Sequence, residues 1–258
     1  MIPYVRRQRI LAELEAKEIV YLHELCELFK GTSEATIRRD LKALEEEGFI
    51  DVLRGGAAKL RTIAYEIPLT TKERLHTKEK EQIARYAASL VDVGEIIYID
   101  SGTTTLAMVK YLMDKKVTIV TSNTQILPMV TGDCAFTCVS LGGEVSPVLG
   151  SVAGPITEVQ LSQLFFDKAF LGGSGYTAKS GITTPDLREA RKKRLVMEHA
   201  KKTYVLMDSS KAGKQTLCKC LDFSECIIIT DEQNEILENN ASYIVAPANP
   251  ADSHGSAE

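Results

Sequence analysis

Between residues 3 and 60, apolar side chains recur at helical spacing in three short bursts and then close up into extended runs. Residues 3–16 carry Ile10, Leu11 and Leu14 on one side, behind a proline suited to the start of a helix. Tyr21–Phe29 carries Leu22, Leu25, Leu28 and Phe29, and Ser33–Glu47 carries Ile37, Leu41 and Leu44. Ser33 stands where an N-cap belongs and Gly48 where a C′ residue belongs, which bounds the third helix. Lys30, Gly31 and Thr32 make the turn before it. Phe49–Leu53, Arg54-Gly55-Gly56 and Ala57–Leu60 then read as a β-hairpin about a glycine pair.

From Lys78 the pattern changes. Glu79–Leu90 predicts a helix, Glu95–Ile99 a strand, Leu106–Met113 a helix and Val117–Val120 a strand, and the alternation continues to a strand at Val205–Met207. Apolar runs separated by helices predict a parallel α/β sheet, which places ligands at the carboxyl ends of its strands. The chain therefore divides into a small N-terminal domain at 1–58, a linker at 59–77, an α/β domain at 78–247 and a disordered tail at 248–258. The linker is charged, holds Pro68 and alternates only at Ile63, Tyr65 and Ile67. It reads either as a plain tether or as an arm that docks on the second domain.

Composition changes this picture little. The 258 residues are 44% hydrophobic and 26% charged, ordinary for a globular chain with a small and a medium domain. No run approaches membrane-spanning length and the start lacks a signal peptide's apolar core, so a cytoplasmic protein without a membrane partner is expected. Six scattered cysteines without a Cys-x-x-Cys pair suggest reduced thiols, with no metal site and no cofactor. Net charge is −4, and residues 1–61 hold eleven basic and eleven acidic side chains. Only the placement of charge can favour DNA.

That placement is specific. The third helix buries one stripe and presents Ala35, Thr36, Arg38, Arg39 and Lys42 on another face, as a helix entering a major groove requires. With the preceding helix it forms a helix-turn-helix pattern, and the hairpin after it forms a wing with Arg54 at the tip. Arg6, Arg7 and Arg9 suit either a solvated face or phosphate contacts. In the second domain, Asp100-Ser101-Gly102-Thr103-Thr104-Thr105 offers amides and hydroxyls to an anion, or is simply a tight capped turn. It lacks the glycine spacing and lysine of a Walker loop. Thr121-Ser122-Asn123, Gly142-Gly143, Gly150–Gly154, Gly172-Gly173 and Asp208–Lys211 also follow apolar runs and converge on one rim. Lys211 is either a surface lysine or an anion contact.

The run Thr36-Ile37-Arg38-Arg39-Asp40-Leu41, followed by Leu44-Glu45, Gly48 and Arg54-Gly55-Gly56-Ala57, closely resembles the DeoR family of bacterial transcriptional regulators. The family's aspartate-serine-glycine-threonine-threonine loop falls on Asp100–Thr104 and its aspartate-serine-serine-lysine motif on Asp208–Lys211. Two departures stand out: three residues rather than two precede Ser33, and Ser122-Asn123 transposes the usual order. The resemblance implies an α/β fold, with a small N-terminal winged helix-turn-helix domain and a larger Rossmann-like domain similar to ribose-5-phosphate isomerase. It implies a regulator, usually a repressor, whose affinity for double-stranded operator DNA is changed by a phosphorylated sugar, acting as a homo-oligomer (dimer or tetramer). The residues expected on DNA are Ser33, Thr36, Arg38, Arg39, Lys42, Arg54, Gly55 and Gly56. Those expected at the effector are Asp100, Ser101, Gly102, Thr103, Thr104, Thr105, Ser122, Asn123, Gly142, Gly143, Gly172, Asp208 and Lys211.

The alternative is a sugar-phosphate isomerase carrying a DNA-binding module. Isomerisation needs a carboxylate base. The corresponding strand here is Asp167-Lys168-Ala169-Phe170, and the helix position falls in the basic run Arg191–Arg194, so no base is expected.

Overall fold

The computed structural model describes residues 2–17, 19–46, 49–60, 69–73 and 75–248. The chain divides between Ile67 and Pro68 into two compact units. In the first, α1 (Pro3–Ala16), β1 (Val20–Tyr21), α2 (Leu22–Leu28) and α3 (Glu34–Glu46) precede β2 (Ile50–Val52) and β3 (Ala57–Leu60). Ile10, Leu11, Leu14, Leu25, Phe29, Ile37, Leu41 and Leu44 form one buried cluster, the stripe that the helical spacing predicts. Gly31 takes φ +92°, which a side chain disfavours, and Thr32 N donates to Phe29 O at 2.9 Å; together they close the longer turn before α3. β3 lies between β2 and β1, antiparallel to both. The two-residue strand β1 is not apparent from sequence, because two residues carry no period. Gly48, the expected C′ residue, lies outside the described residues.

Arg6 is not a solvated arginine. It is buried and its guanidinium donates to the Asp40 carboxylate, joining α1 to the inner face of α3.

The second unit contains α4 (Leu69–Lys72), α5 (Thr77–Ser89), β4 (Ile96–Ile99), α6 (Thr103–Met108), β5 (Thr118–Thr121) and β6 (Thr137–Ser140). A hairpin follows, β7 (Glu144–Ser146) and β8 (Ser151–Ala153), then α7 (Pro155–Leu161) and β9 (Phe166–Gly172). After β10 (Gly175–Thr177), β11 (Gly181–Thr184) and α8 (Leu187–Glu198) come β12 (Ala200–Leu206), β13 (Cys218–Leu221), β14 (Ile227–Thr230), α9 (Glu235–Asn240) and β15 (Ser242–Val245). Seven strands form a parallel sheet in the order β15-β14-β12-β9-β4-β5-β6. Alternate strand residues enter different cores. Ile97, Ile99, Phe170, Tyr204 and Leu206 face α5 and α6, whereas Tyr98, Leu171 and Val205 face the α8 side. A sheet covered on both faces needs such nearly continuous apolar strands.

From β4 the chain winds outward through β5 to β6, then returns to lay β9 on the other side of β4 and winds outward again. The switch between β4 and β9 is the point at which open α/β sheets take ligands, in a crevice outside the strands' carboxyl ends.

The expected linker at 59–77 is shortened at both ends. Lys59 and Leu60 pair with Asp51 and Ile50 in the wing, and Leu69 is buried in the second unit with its N–H on Val148 O at 3.1 Å. Residues 61–68, including Ile63, Tyr65, Ile67 and Pro68, and residues 249–258 of the expected tail lie outside the described residues.

Deleting one partner of a buried ion pair leaves the other charge uncompensated. Replacing Arg6 by Ala should therefore destabilise the first unit by about 3–5 kcal/mol, measured as a lowered urea midpoint for the helical signal of that unit.

Candidate functional site

Helix α3 is placed by its own chemistry. Ser33 Oγ accepts from Thr36 N at 3.3 Å and meets Thr36 Oγ1 at 2.8 Å, capping the first turn. Burial of Ile37, Asp40, Leu41 and Leu44 leaves Ala35, Arg38, Arg39 and Lys42 exposed. Arg38 pairs with Glu34 at 2.8 Å and Lys42 with Glu46 at 3.6 Å, both one helical turn apart and solvated. Arg54 and Gly55 are exposed at the wing tip, where Gly55 and Gly56 have φ +92° and +83°. Gly56 is buried, and an added Cβ would stand 3.3 Å from the Leu22 side chain and 3.6 Å from Arg38 Nη1. It therefore packs the wing onto the helices rather than facing outward.

At the switch point, Asp100 ends β4 and is fully buried. Its Oδ2 accepts from Gly172 N at 3.0 Å and from Lys193 Nζ of α8. Gly102 and Gly172 pack closely against each other, an added Cβ on Gly172 lying 3.6 Å from Gly102 Cα. Thr105 Oγ1 donates toward Asp100 O and Gly102 O, each at 2.8 Å, and accepts from Gly102 N at 3.1 Å. Thr104 and Thr105 are buried, so they shape the loop from within; Ser101, Gly102 and Thr103 retain accessible surface.

Helix α8 brings Glu189, Lys192 and Lys193 under this loop, all buried. Glu189 Oε1 accepts from Lys192 Nζ and from Ser151 Oγ, both at 2.7 Å, and Oε2 lies 3.3 Å from the Ser101 hydroxyl. Lys192 also donates to Ser151 Oγ at 2.6 Å and Val152 O at 3.1 Å. Two carboxylates and two ammonium groups thus form a neutral buried quartet. Burial works against the Asp100 charge, but Lys193 and then Lys192 outweigh it and hold the carboxyl below its ordinary value. Burial likewise opposes the Lys193 charge, and Asp100 and Glu189 raise its pKa above the ordinary value. Asp100 Oδ1 has no hydrogen-bond partner among the described residues.

The remaining expected residues do not form one contact surface. Ser122 and Asn123 are buried: Ser122 Oγ meets the Tyr98 hydroxyl at 2.8 Å, and Asn123 Nδ2 donates to Asp100 O at 3.3 Å. They brace the loop from beneath. Asp208, at the end of β12, is buried and accepts from Ser210 N at 3.2 Å. Burial opposes its charge, and Lys211, Ser210, His76 and Lys80 together hold its carboxyl below the ordinary value. Gly142 and Gly143 follow β6 at the far edge. There Gly142 N donates to Gln160 Oε1 at 2.9 Å and Gly142 O accepts from Thr157 Oγ1 at 2.8 Å, so this pair closes onto α7. With strands about 4.8 Å apart, the four steps from β12 to β6 span about 19 Å. Gly142 and Gly143 thus stand at one end of that span and Asp208 at the other.

The strand used in the isomerase comparison holds no carboxylate at its carboxyl end. Asp167 sits at the opposite end of its strand, accepting from Ile96 N at 2.9 Å and Lys201 Nζ at 2.7 Å, and Phe170 stacks on Tyr204 in the core. Helix α8 nevertheless carries a carboxylate, Glu189, two residues before the run taken as all basic. Glu189, Lys192, Lys193 and Ser151 are the residues that sequence reasoning missed. The available signal was the 189, 192, 193, 196 spacing of one helix face.

Residues 6–62 match the DeoR-like helix-turn-helix domain and residues 75–232 the DeoR C terminal sensor domain. The chain belongs to the DeoR family of transcriptional regulators. This regulator is 38% identical to the uncharacterized HTH-type transcriptional regulator FruR of Bacillus subtilis, over 91% of its own chain and 93% of that one. It is 29% identical to a lactose phosphotransferase system repressor of Staphylococcus epidermidis, over 80% and 83%. Among solved structures it resembles ribose 5 phosphate isomerase A from Neisseria gonorrhoeae at 17% identity, covering 56% and 55% of the two chains with a TM-score of 0.38. No helix among the described residues is long and apolar enough to cross a membrane.

Asp100→Asn leaves one fewer buried carboxylate opposite Lys193 in this regulator and should cost the sensor unit about 3–5 kcal/mol at neutral pH. Because folding lowers the Asp100 pKa, its stabilisation is complete above the unfolded value and disappears as pH falls through the folded one. The difference in unfolding midpoint between wild type and the Asp100→Asn variant, followed from neutral to acid pH, should therefore shrink in the acid range below the ordinary value of 3.8.

Proposed function

We propose that this regulator is a repressor of sugar-metabolism genes that is controlled by a phosphorylated sugar. In this reading it works in the cytoplasm as a homo-oligomer, a dimer or tetramer, on paired operator half-sites. The observation that carries the reading is the crevice at the β4–β9 switch. Ser101, Gly102, Thr103 and Gly172 line its accessible edge, and Asp208 and Lys211 lie at the carboxyl end of the adjacent β12. Hydroxyls, amides and a lysine within two strand spacings suit a small polyhydroxy anion. The repressor name of the Staphylococcus epidermidis relative supports the sign of regulation. Arg38, Arg39, Thr36 and Lys42 supply base and phosphate contacts in the major groove, with Ser33 at the helix start and Arg54 and Gly55 at the wing. The effector binds one arrangement of subunits better than the other and shifts the population by that difference.

Isomerase chemistry is the second reading, and Glu189 argues against it. One of its oxygens is held by Lys192 and Ser151 and the other lies against Ser101, so the carboxylate is not poised to take a proton from a substrate carbon.

Arg38→Ala or Arg39→Ala should weaken operator binding by about 1–3 kcal/mol, measured by anisotropy on an operator selected from genomic DNA. Wild-type affinity in both variants would refute the assignment of this face. Lys211→Ala should leave effector-free operator binding intact and abolish the response to a panel of pentose and hexose monophosphates. An unchanged response at the same concentration removes Lys211 from the site.

A further inference from the structure

The β7–β8 hairpin touches both the switch-point loop and the first described residue of the sensor unit. On its β8 side, Ser151 receives the Ser101 hydroxyl at 2.8 Å, donates to Glu189 and accepts from Lys192. The next residue is tied as well, Val152 N donating to Ser122 O at 2.8 Å. Gly150, immediately before Ser151, adopts φ +57°, and an added Cβ there would stand 2.7 Å from Leu69 Cδ2. Val148, in the same turn, accepts from Leu69 N at 3.1 Å. Leu69 opens α4, whose other end is fixed by Lys80 Nζ donating to Lys72 O. Residues 61–68 alone separate Leu69 from the end of the wing strand at Leu60.

We infer that this hairpin couples the crevice to the segment leading into the DNA-binding unit, with Ser151 and Leu69 as its positioning residues. The inference rests on the sugar-phosphate reading above and adds the route of its regulation. Ser101 stands at the accessible edge of the crevice, and its hydroxyl has a single proton to give. A phosphate or sugar oxygen that accepts that proton takes it from Ser151 and from Glu189 Oε2, leaving the Ser151 hydroxyl to Glu189 and Lys192. A shift of Ser151 passes through Gly150, where the space beside Leu69 holds no side chain, to Leu69 and α4. Such coupling requires an element with two arrangements that both sites bias, and the hairpin is the element in contact at each end.

The test compares wild type, Leu69→Ala and Leu69→Met as full-length proteins. Operator affinity is read by anisotropy with and without each member of a panel of pentose and hexose monophosphates. Binding of the most effective member to the DNA-free protein is read by calorimetry. The wild-type shift in operator affinity, roughly 5- to 150-fold for ordinary coupling, should fall below about twofold in Leu69→Ala and return in Leu69→Met. Effector affinity and effector-free operator affinity should stay at wild-type values in both variants, a separation that general loss of structure would not give. A wild-type shift in Leu69→Ala overturns the inference. Should that variant fail to fold, Gly150→Ala drives a methyl group against Leu69 from the other side, and a wild-type shift there overturns it equally. A wild type whose operator affinity no panel member moves overturns the sugar-phosphate reading, and this inference with it.

Discussion

Four charges buried within one side chain's reach of each other constrain the sensor unit more than any apolar contact does. Asp100 belongs to the loop after β4, while Glu189, Lys192 and Lys193 belong to α8, and Ser151 of the hairpin donates to Glu189 and accepts from Lys192. Removing any one charge strands its partner in a medium that cannot solvate it. The loop, the helix and the hairpin therefore hold one another in register. Such a quartet adds little net stability compared with well-packed apolar residues of similar volume. What it supplies is a single arrangement of the loop, the helix and the hairpin.

The same device appears once, in smaller form, in the first unit. Arg6 and Asp40 join α1 to the inner face of α3, so the basic outer face is held by a buried pair as well as by Ile37, Leu41 and Leu44. The polar groups that look most functional in both units, an arginine in a basic cluster and a threonine in an anion-type loop, turn out to be structural where they are buried. Exposure separates the roles. Arg38 and Arg39 face solvent where Arg6 does not, and Ser101 and Thr103 keep surface where Thr104 and Thr105 lose it.

The helices of the first unit were legible because each carries apolar residues at the helical period against a polar background. The wing was legible from Gly55 and Gly56, and the switch-point loop from a glycine and hydroxyls following a fully apolar strand. The pairing of Glu189, Lys192 and Lys193 with that loop was not. Seven of the twelve residues of α8 are charged, so its buried stripe has no hydrophobic contrast with its exposed face. Strand order was equally hidden, because an apolar run reveals that a strand is central but not which strand lies beside it. Without that order, Gly142 and Asp208 look like neighbours on one rim, although three strands stand between their own.

The near balance of charge in the DNA-binding unit has a consequence for how it travels on a genome. Eleven bases offset by eleven acids within residues 1–61, with Arg38 already engaged by Glu34 on its own helix, give the unit little long-range attraction to phosphate. At an arbitrary sequence that attraction is confined to the basic side chains that reach a phosphate. At a matching site the cost of parting Arg38 from Glu34 is small, because that pair is solvated. Discrimination between sites is then left to placed contacts rather than to bulk charge.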